Sequence, residues 1–249
     1  MRKKVIVGNW KMHFTPATAQ EFVSQIKDKI NIDSVDVVLC VPFVSLQYVM
    51  DELKDTNIQV GAQNMHYMVE GDYTGEISGK MLEDIGVKYV IIGHSERRER
   101  FAETDTTVNL KVLQAIEHNI TPIICIGESD RQRISGRTNE VLRKQIAFAL
   151  DELTAQQVAG IIIAYEPIWA IGAGKTPATF DQAEDACAHI RKCIYDRYGV
   201  VAAQSVRILY GGSVKPENAR EFFTKDNIDG GLAGKASQSL SFVEVVNFV

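Results

Sequence analysis

The sequence predicts an α/β fold, a single-domain (β/α)8 barrel spanning residues 1–249. Three observations carry this. Eight short apolar runs recur along the chain, near-continuous in the way of parallel strands buried on both faces. Helical patterns lie between them, and strand–helix alternation means βαβ units. Eight such units in 249 residues suit a closed barrel. A doubly wound open sheet is the alternative that the pattern leaves. No linker or low-complexity stretch divides the chain.

The runs, in order, are VIVGNWK from Val5, VVLCVP from Val37, IQVGAQN from Ile58 and YVIIGHSE from Tyr89. PIICIGE from Pro122, IIIAYEP from Ile161, RILYGGS from Arg207 and NIDGGLAG from Asn227 complete the set. Among the connecting segments, Ala19, Phe22, Val23, Ile26 and Ile30 fall at helical spacing. Val108, Leu110, Val112, Leu113 and Ile116 mark a second apolar helix face. A third helix follows Thr179, an N-cap with Gln182 in capping-box position. The stretch 63–78 is long for a barrel loop, and long loops in compact domains are usually functional.

Composition excludes several classes. The chain is 45% hydrophobic and 24% charged, ordinary for a globular protein with a large core. A net charge of −5 argues against a general nucleic-acid binder, so an anionic ligand needs local features to hold it. No apolar run approaches membrane-spanning length, and the basic start MRKKVIVGNWK lacks the apolar stretch of a secretory signal. Cys40, Cys125, Cys187 and Cys193 form no CxxC pair and suit a reducing, cytoplasmic setting. The five histidines show no metal-ligand spacing, so no metal site is expected.

Barrel active sites form at the C-terminal ends of the strands. Strand one ends in Asn9 and Lys11, strand four in His94, Ser95 and Glu96, strand five in Cys125 and Glu128, and strand six in Glu166. Strands seven and eight end in glycine-rich turns around Ser213 and Gly234. A cation, an imidazole, a carboxylate and two glycine turns on one rim suit acid/base chemistry on an anionic substrate. Taken singly, each residue has a plainer use: Lys11 as a solvated loop lysine, His94 as a locally satisfied ring, Glu166 as an ion-pair partner. Cys125 reads as a small buried hydrophobe rather than a nucleophile. Arg97 and Arg98 read as helix-surface residues. Nucleotide motifs fail: Trp169 stands where a P-loop before Gly174-Lys175-Thr176 needs glycine, and Pro177 where a Rossmann turn needs one. Glycines that let backbone N–H groups approach a phosphate remain.

NWKMH, YTGEIS, IIGHSERR, CIGE, AYEPIWAIGAGK and LYGGSV occur in this order, and on them the chain resembles triosephosphate isomerases from end to end. The resemblance implies a homodimeric, cofactor-independent TIM barrel that interconverts dihydroxyacetone phosphate and glyceraldehyde 3-phosphate, in glycolysis and gluconeogenesis. By motif, Glu166 is then the base, His94 the donor to the growing oxyanion and Lys11 its positive charge. Asn9 stands beside Lys11, and Glu96 is a supporting acid near it. The pairing of a glutamate base with a neutral histidine is the family's own known arrangement, carried over here rather than derived. Pro167, Ile168, Trp169, Ala170, Ile171, Gly172, Ala173, Gly174, Lys175 and Thr176 correspond to the family's lid, with Ile171 covering the base. Backbone N–H groups of Gly172, Ser213, Gly234 and Lys235 correspond to its phosphate grip. The loop 64–78 corresponds to the dimer loop, with Thr74 reaching the neighbour's site and Met65, Tyr67, Met68 and Val69 too apolar for an exposed monomer surface. Two departures stand out. The family's usual valine-glycine-glycine reads Ala233-Gly234-Lys235, and Ala173 replaces the commoner threonine. A Schiff-base lyase using Lys11 and a non-catalytic phosphosugar-binding homologue are the rival readings. Neither partner nucleic acid nor a membrane is expected.

Overall fold

The computed structural model describes residues 2–30, 35–172 and 174–248. Eight parallel strands close into a barrel in sequence order. They are β1 (Lys4–Asn9), β2 (Val35–Val41), β3 (Gln59–Ala62), β4 (Tyr89–Ile92), β5 (Thr121–Ile126), β6 (Ile162–Tyr165), β7 (Arg207–Tyr210) and β8 (Gly230–Ala233). Closure is made by β1 on β8, with Val5 opposite Gly230 and Val7 opposite Leu232. All eight expected runs hold a strand, although β8 starts at Gly230 rather than Asn227.

Side-chain alternation sorts the core into two layers. Val5, Val7, Val38, Cys40, Ile91, Ile123, Cys125, Ile162, Ala164 and Leu209 fill the barrel interior. Ile6, Leu39, Ile92, Ile124, Ile163 and Ile208 point outward onto the helices. Cys125 is wholly buried, and burial pushes its thiol well above the ordinary range, so it behaves as the small hydrophobe expected.

The helices start where short polar side chains can cap them. Thr15 and Pro16 open Pro16–Ile26, Thr104 opens Asp105–Glu117, and Thr179 with Gln182 opens Phe180–Ser205, each with a reciprocal capping box. The last of these breaks at Gly199, whose φ of 83° no helix continues. In Asp105–Glu117 the sequence pattern needs correction: Leu110 is exposed, and Lys111 is buried instead. Its ammonium donates to Glu103 (2.7 Å) and Asn64 (2.8 Å), which satisfy the buried charge. Among the described residues no helix is long and apolar enough to cross a membrane.

Candidate active site

The strand ends bring Asn9, Lys11, His94 and Glu166 onto one cavity of about 800 Å³. Gly172, Ser213, Gly234 and Lys235 line it too. His94 and Glu166 therefore share a single cleft with the turns expected to hold phosphate.

Glu166 continues the β6 backbone, its N–H donating to Ile126 O (2.8 Å). Its side chain is 3% exposed. Oε1 lies 3.0 Å from His94 Nε2 and 3.1 Å from the Ser95 hydroxyl, and Oε2 accepts the Ser95 N–H at 3.0 Å. Burial pushes this carboxyl up, but His94 and the two Ser95 donors together hold it below the usual glutamate range. Glu166 is thus ionised and parked.

His94 caps the helix Ser95–Arg100, and its Nδ1 accepts the Glu96 N–H at 3.2 Å. An acceptor nitrogen carries no proton, so the ring is neutral with its hydrogen on Nε2, facing Glu166. Burial pulls the His94 pKa down, yet the adjacent Glu166 charge raises it overall. That upward pull lasts as long as Glu166 stays at Nε2. The turn before His94 is pinned as well: the Gly93 N–H donates to buried Glu103 (2.8 Å), the carboxylate that holds Lys111 and Arg97.

Lys11 has φ +54°, a left-handed conformation that costs a lysine energy. Asn9 Oδ1 accepts its N–H at 3.0 Å and stabilises that turn. The ammonium points to Glu96 Oε1, 2.6 Å away.

The match to known proteins agrees with this geometry. A family model described as triosephosphate isomerase matches residues 4–249. A protein of Acetivibrio thermocellus named triosephosphate isomerase is 53% identical over 245 residues, covering 98% of this chain and 97% of its own. Proteins of the same name from Clostridium novyi and Alkaliphilus oremlandii are 51% and 49% identical over 249 residues, covering the whole of this chain and 99% and 100% of theirs.

The chain belongs to the triosephosphate isomerase family.

The segment after Glu166 borders the cavity, which Ala170, Ile171, Gly172, Lys175 and Pro177 line. Gly172 (φ 116°) and Gly174 (φ 77°) sit in backbone conformations that favour glycine, and both are exposed. Ile171 is half-buried at the cavity edge. Ala173 lies outside the described residues. Lys235 is exposed but not left-handed, so its N–H survives the replacement of glycine. Thr74 is exposed at the tip of its loop, away from this chain's own cavity. Of the apolar residues in that loop, Met68 and Val69 are exposed, whereas Met65 turns fully into the core.

Two contacts escaped the sequence reading. Ser95 was legible as the first residue of a helix, not as the group that parks Glu166. Glu128 is wholly buried, and Oε1 accepts from Trp169 Nε1 (2.8 Å), Tyr165 OH (3.1 Å), Arg133 (3.2 Å) and Thr138 (3.3 Å). Arg133 also lies 3.9 Å over the Trp169 ring. The segment after Glu166 is anchored there through Trp169. An acid closing an apolar strand was the available signal, because a buried carboxylate must be paired.

Removing one donor should move the parked acid. Ser95→Ala is expected to raise the Glu166 pKa, since a hydrogen bond to the charged form is lost. If Glu166 is the base, its limb of kcat/KM should lie on the acid side of the ordinary glutamate range, because His94 and Ser95 hold the carboxyl down. A pH profile should show that limb shifted to higher pH in the variant. The substrate phosphate's own ionisation near about 6 stays common to both. An unmoved limb would mean that the hydroxyl does not hold the base.

Proposed function

We propose that Glu166 is the base of an aldose–ketose isomerisation, with His94 as electrophile and Lys11 as electrostatic stabiliser. The enzyme interconverts glyceraldehyde 3-phosphate and dihydroxyacetone phosphate, and its substrate is a phosphorylated triose. The observation that carries the assignment of roles is the 3.0 Å contact of Glu166 with a neutral, Nε2-protonated His94 at the edge of a cavity shared with Lys11.

The mechanism follows from what that contact must do. Substrate entering the cleft displaces Glu166 from His94 and Ser95. The His94 Nε2–H is then free to donate to the substrate carbonyl. The carboxylate, having lost donors to its charged form, becomes more basic. It takes a proton from the carbon beside the carbonyl, the electron pair moves onto the carbonyl oxygen, and an enediolate forms. His94 and Lys11 hold the oxyanion, and preorganised charge of this kind acts most strongly once water is excluded. A proton passes from the neighbouring hydroxyl to the former carbonyl oxygen, the base returns its proton to the neighbouring carbon, and the new carbonyl forms there, so nothing is consumed. Glu96 orients Lys11, and Asn9 fixes its turn. Backbone N–H groups of Gly172, Ser213, Gly234 and Lys235 bind the phosphate. The lid from Pro167 to Thr176 closes over it, as is known for this family, with Ile171 covering the base.

Residues 1–249 act as one domain and work in the cytoplasm, a reading supported by family and by four unpaired cysteines. The Schiff-base reading is disfavoured: Lys11 sits part-exposed in an ion pair, not in the desolvated pocket an imine-forming lysine needs. Initial-rate conversion of glyceraldehyde 3-phosphate by the purified protein is the test. Absence of turnover would sink the assignment, and borohydride trapping of substrate would favour the lyase.

The working form is a homodimer through residues 64–78. A second cavity of about 270 Å³ supports this, for it reaches Asn9, Lys11, His94 and Glu96 from the side away from the lid. It is rimmed by exposed Met12 and Phe101, and the partner's Thr74 would fill it. Thr74→Arg is expected to weaken assembly, with sedimentation showing monomer at concentrations where the unmodified protein is dimeric. Specific activity should then fall on dilution. A variant that stays dimeric and fully active would remove Thr74 from the interface.

A further inference from the structure

Glu166 is seated between two bare stretches of backbone. On the β5 side, a Cβ at Gly127 would fall 1.7 Å from the Glu166 carbonyl oxygen. On the β7 side, a Cβ at Gly211 would fall 3.0 Å from Glu166 Cγ, and the Gly211 N–H donates to Tyr165 O at 2.7 Å. The Gly127 peptide therefore lies against the backbone of Glu166 with no room for a side chain between them.

Gly127 is itself held from outside the barrel. Its N–H donates to Gln145 Oε1 at 2.8 Å, and its carbonyl accepts from Gln145 Nε2 at 3.2 Å. Gln145 lies on the helix Thr138–Ala149. One carboxamide thus satisfies both polar groups of one residue, which a neutral side chain with donor and acceptor together can do. Gly127 sits just past the end of β5, where its own strand no longer pairs it.

We propose that Gln145 is a positioning residue for Glu166, acting through the Gly127 peptide. It touches no substrate. It sets where the carboxylate starts and where it arrives, and a displacement of about 1 Å at such a base costs on the order of 100-fold in rate. The inference rests on the reading of Glu166 as the base.

Gln145→Leu removes both hydrogen bonds at similar volume, and Gln145→Glu keeps an acceptor for the Gly127 N–H while losing the donor to its carbonyl. Steady-state rates would be measured with ordinary substrate and with substrate deuterated at the carbon that loses its proton, alongside inhibition by inorganic phosphate. The leucine variant should lose about 10- to 100-fold in kcat, with KM within about twofold and phosphate inhibition unchanged. Its primary isotope effect should rise as proton transfer becomes slower relative to other steps. The glutamate variant should fall between, and it serves alone if the leucine variant does not fold. A lowered melting temperature with unchanged kcat and isotope effect would overturn the proposal. So would kcat and KM worsening together at an unchanged isotope effect, the pattern of general loosening. Glu166→Gln run in parallel separates the two layers: activity retained there defeats the base assignment, whereas activity lost there with unperturbed Gln145 variants defeats the positioning role.

Discussion

Glu166→Gln is expected to lower kcat by on the order of 10⁴-fold, the upper range for removing a positioned general base. An amide accepts no proton from carbon at neutral pH. KM should change little, because Ser213 and Gly234, the turns proposed to hold the phosphate, lie elsewhere in the cavity. The fold should persist, since the amide oxygen can still accept the Ser95 N–H that Glu166 now accepts. His94 supplies a second readout. Glu166 is what raises its pKa against burial, so the variant's His94 should titrate lower, as NMR would show. Turnover within tenfold of the unmodified enzyme, or an unmoved His94, would refute the account.

Lys11→Met should cost about 10³-fold in kcat/KM while leaving stability almost untouched. The two magnitudes come from different environments. Deleting one preorganised donor to a developing oxyanion costs about 10²- to 10³-fold. The ground-state ion pair with Glu96 is about one-third exposed on both sides, and pairs of that kind contribute about 0–1 kcal/mol. The salt dependence of kcat/KM should also flatten, because a cation facing an anionic substrate is gone. Lys11→Gly sharpens the test. It relieves a backbone held at φ +54°, so it should be at least as stable as the unmodified chain and still inactive. A methionine variant within tenfold of normal kcat/KM would remove Lys11 from the chemistry.

The architecture and the rim were legible because both are local. Each buried strand writes itself as an apolar run, and the residue after the run lies at the active end of a barrel. Asn9, Lys11, His94 and Glu166 reach the rim by that rule, as Glu96, Cys125 and Glu128 also do, and the family resemblance is what sets the four apart. What stayed hidden depends on partners far along the chain. Helical period put Leu110 on the buried face, but Lys111 is buried because Asn64, 47 residues earlier, and Glu103 satisfy its ammonium. Trp169 meets Glu128 across 41 residues, and Gln145 meets Gly127 across 18. Parking of Glu166 on Ser95 spans 71. Hydrogen bonds of this reach leave no periodicity, and a glutamine on a part-buried helix face looks like any other.

The seam of the ring has a consequence in time. β1 pairs with β8, while Arg2 and Lys4 reach Asp229 and Ile228, more than 220 residues away. During synthesis one edge of β1 has no neighbour until β8 is made, more than 220 residues later. At about 5–20 residues per second, that wait is on the order of 10 to 50 seconds. For that interval a flat, apolar strand edge is open to any other extended chain. The interval before β8 is made is therefore the exposed one for β1, and Arg2 and Lys4 are charges that keep its edge from being purely apolar while it waits.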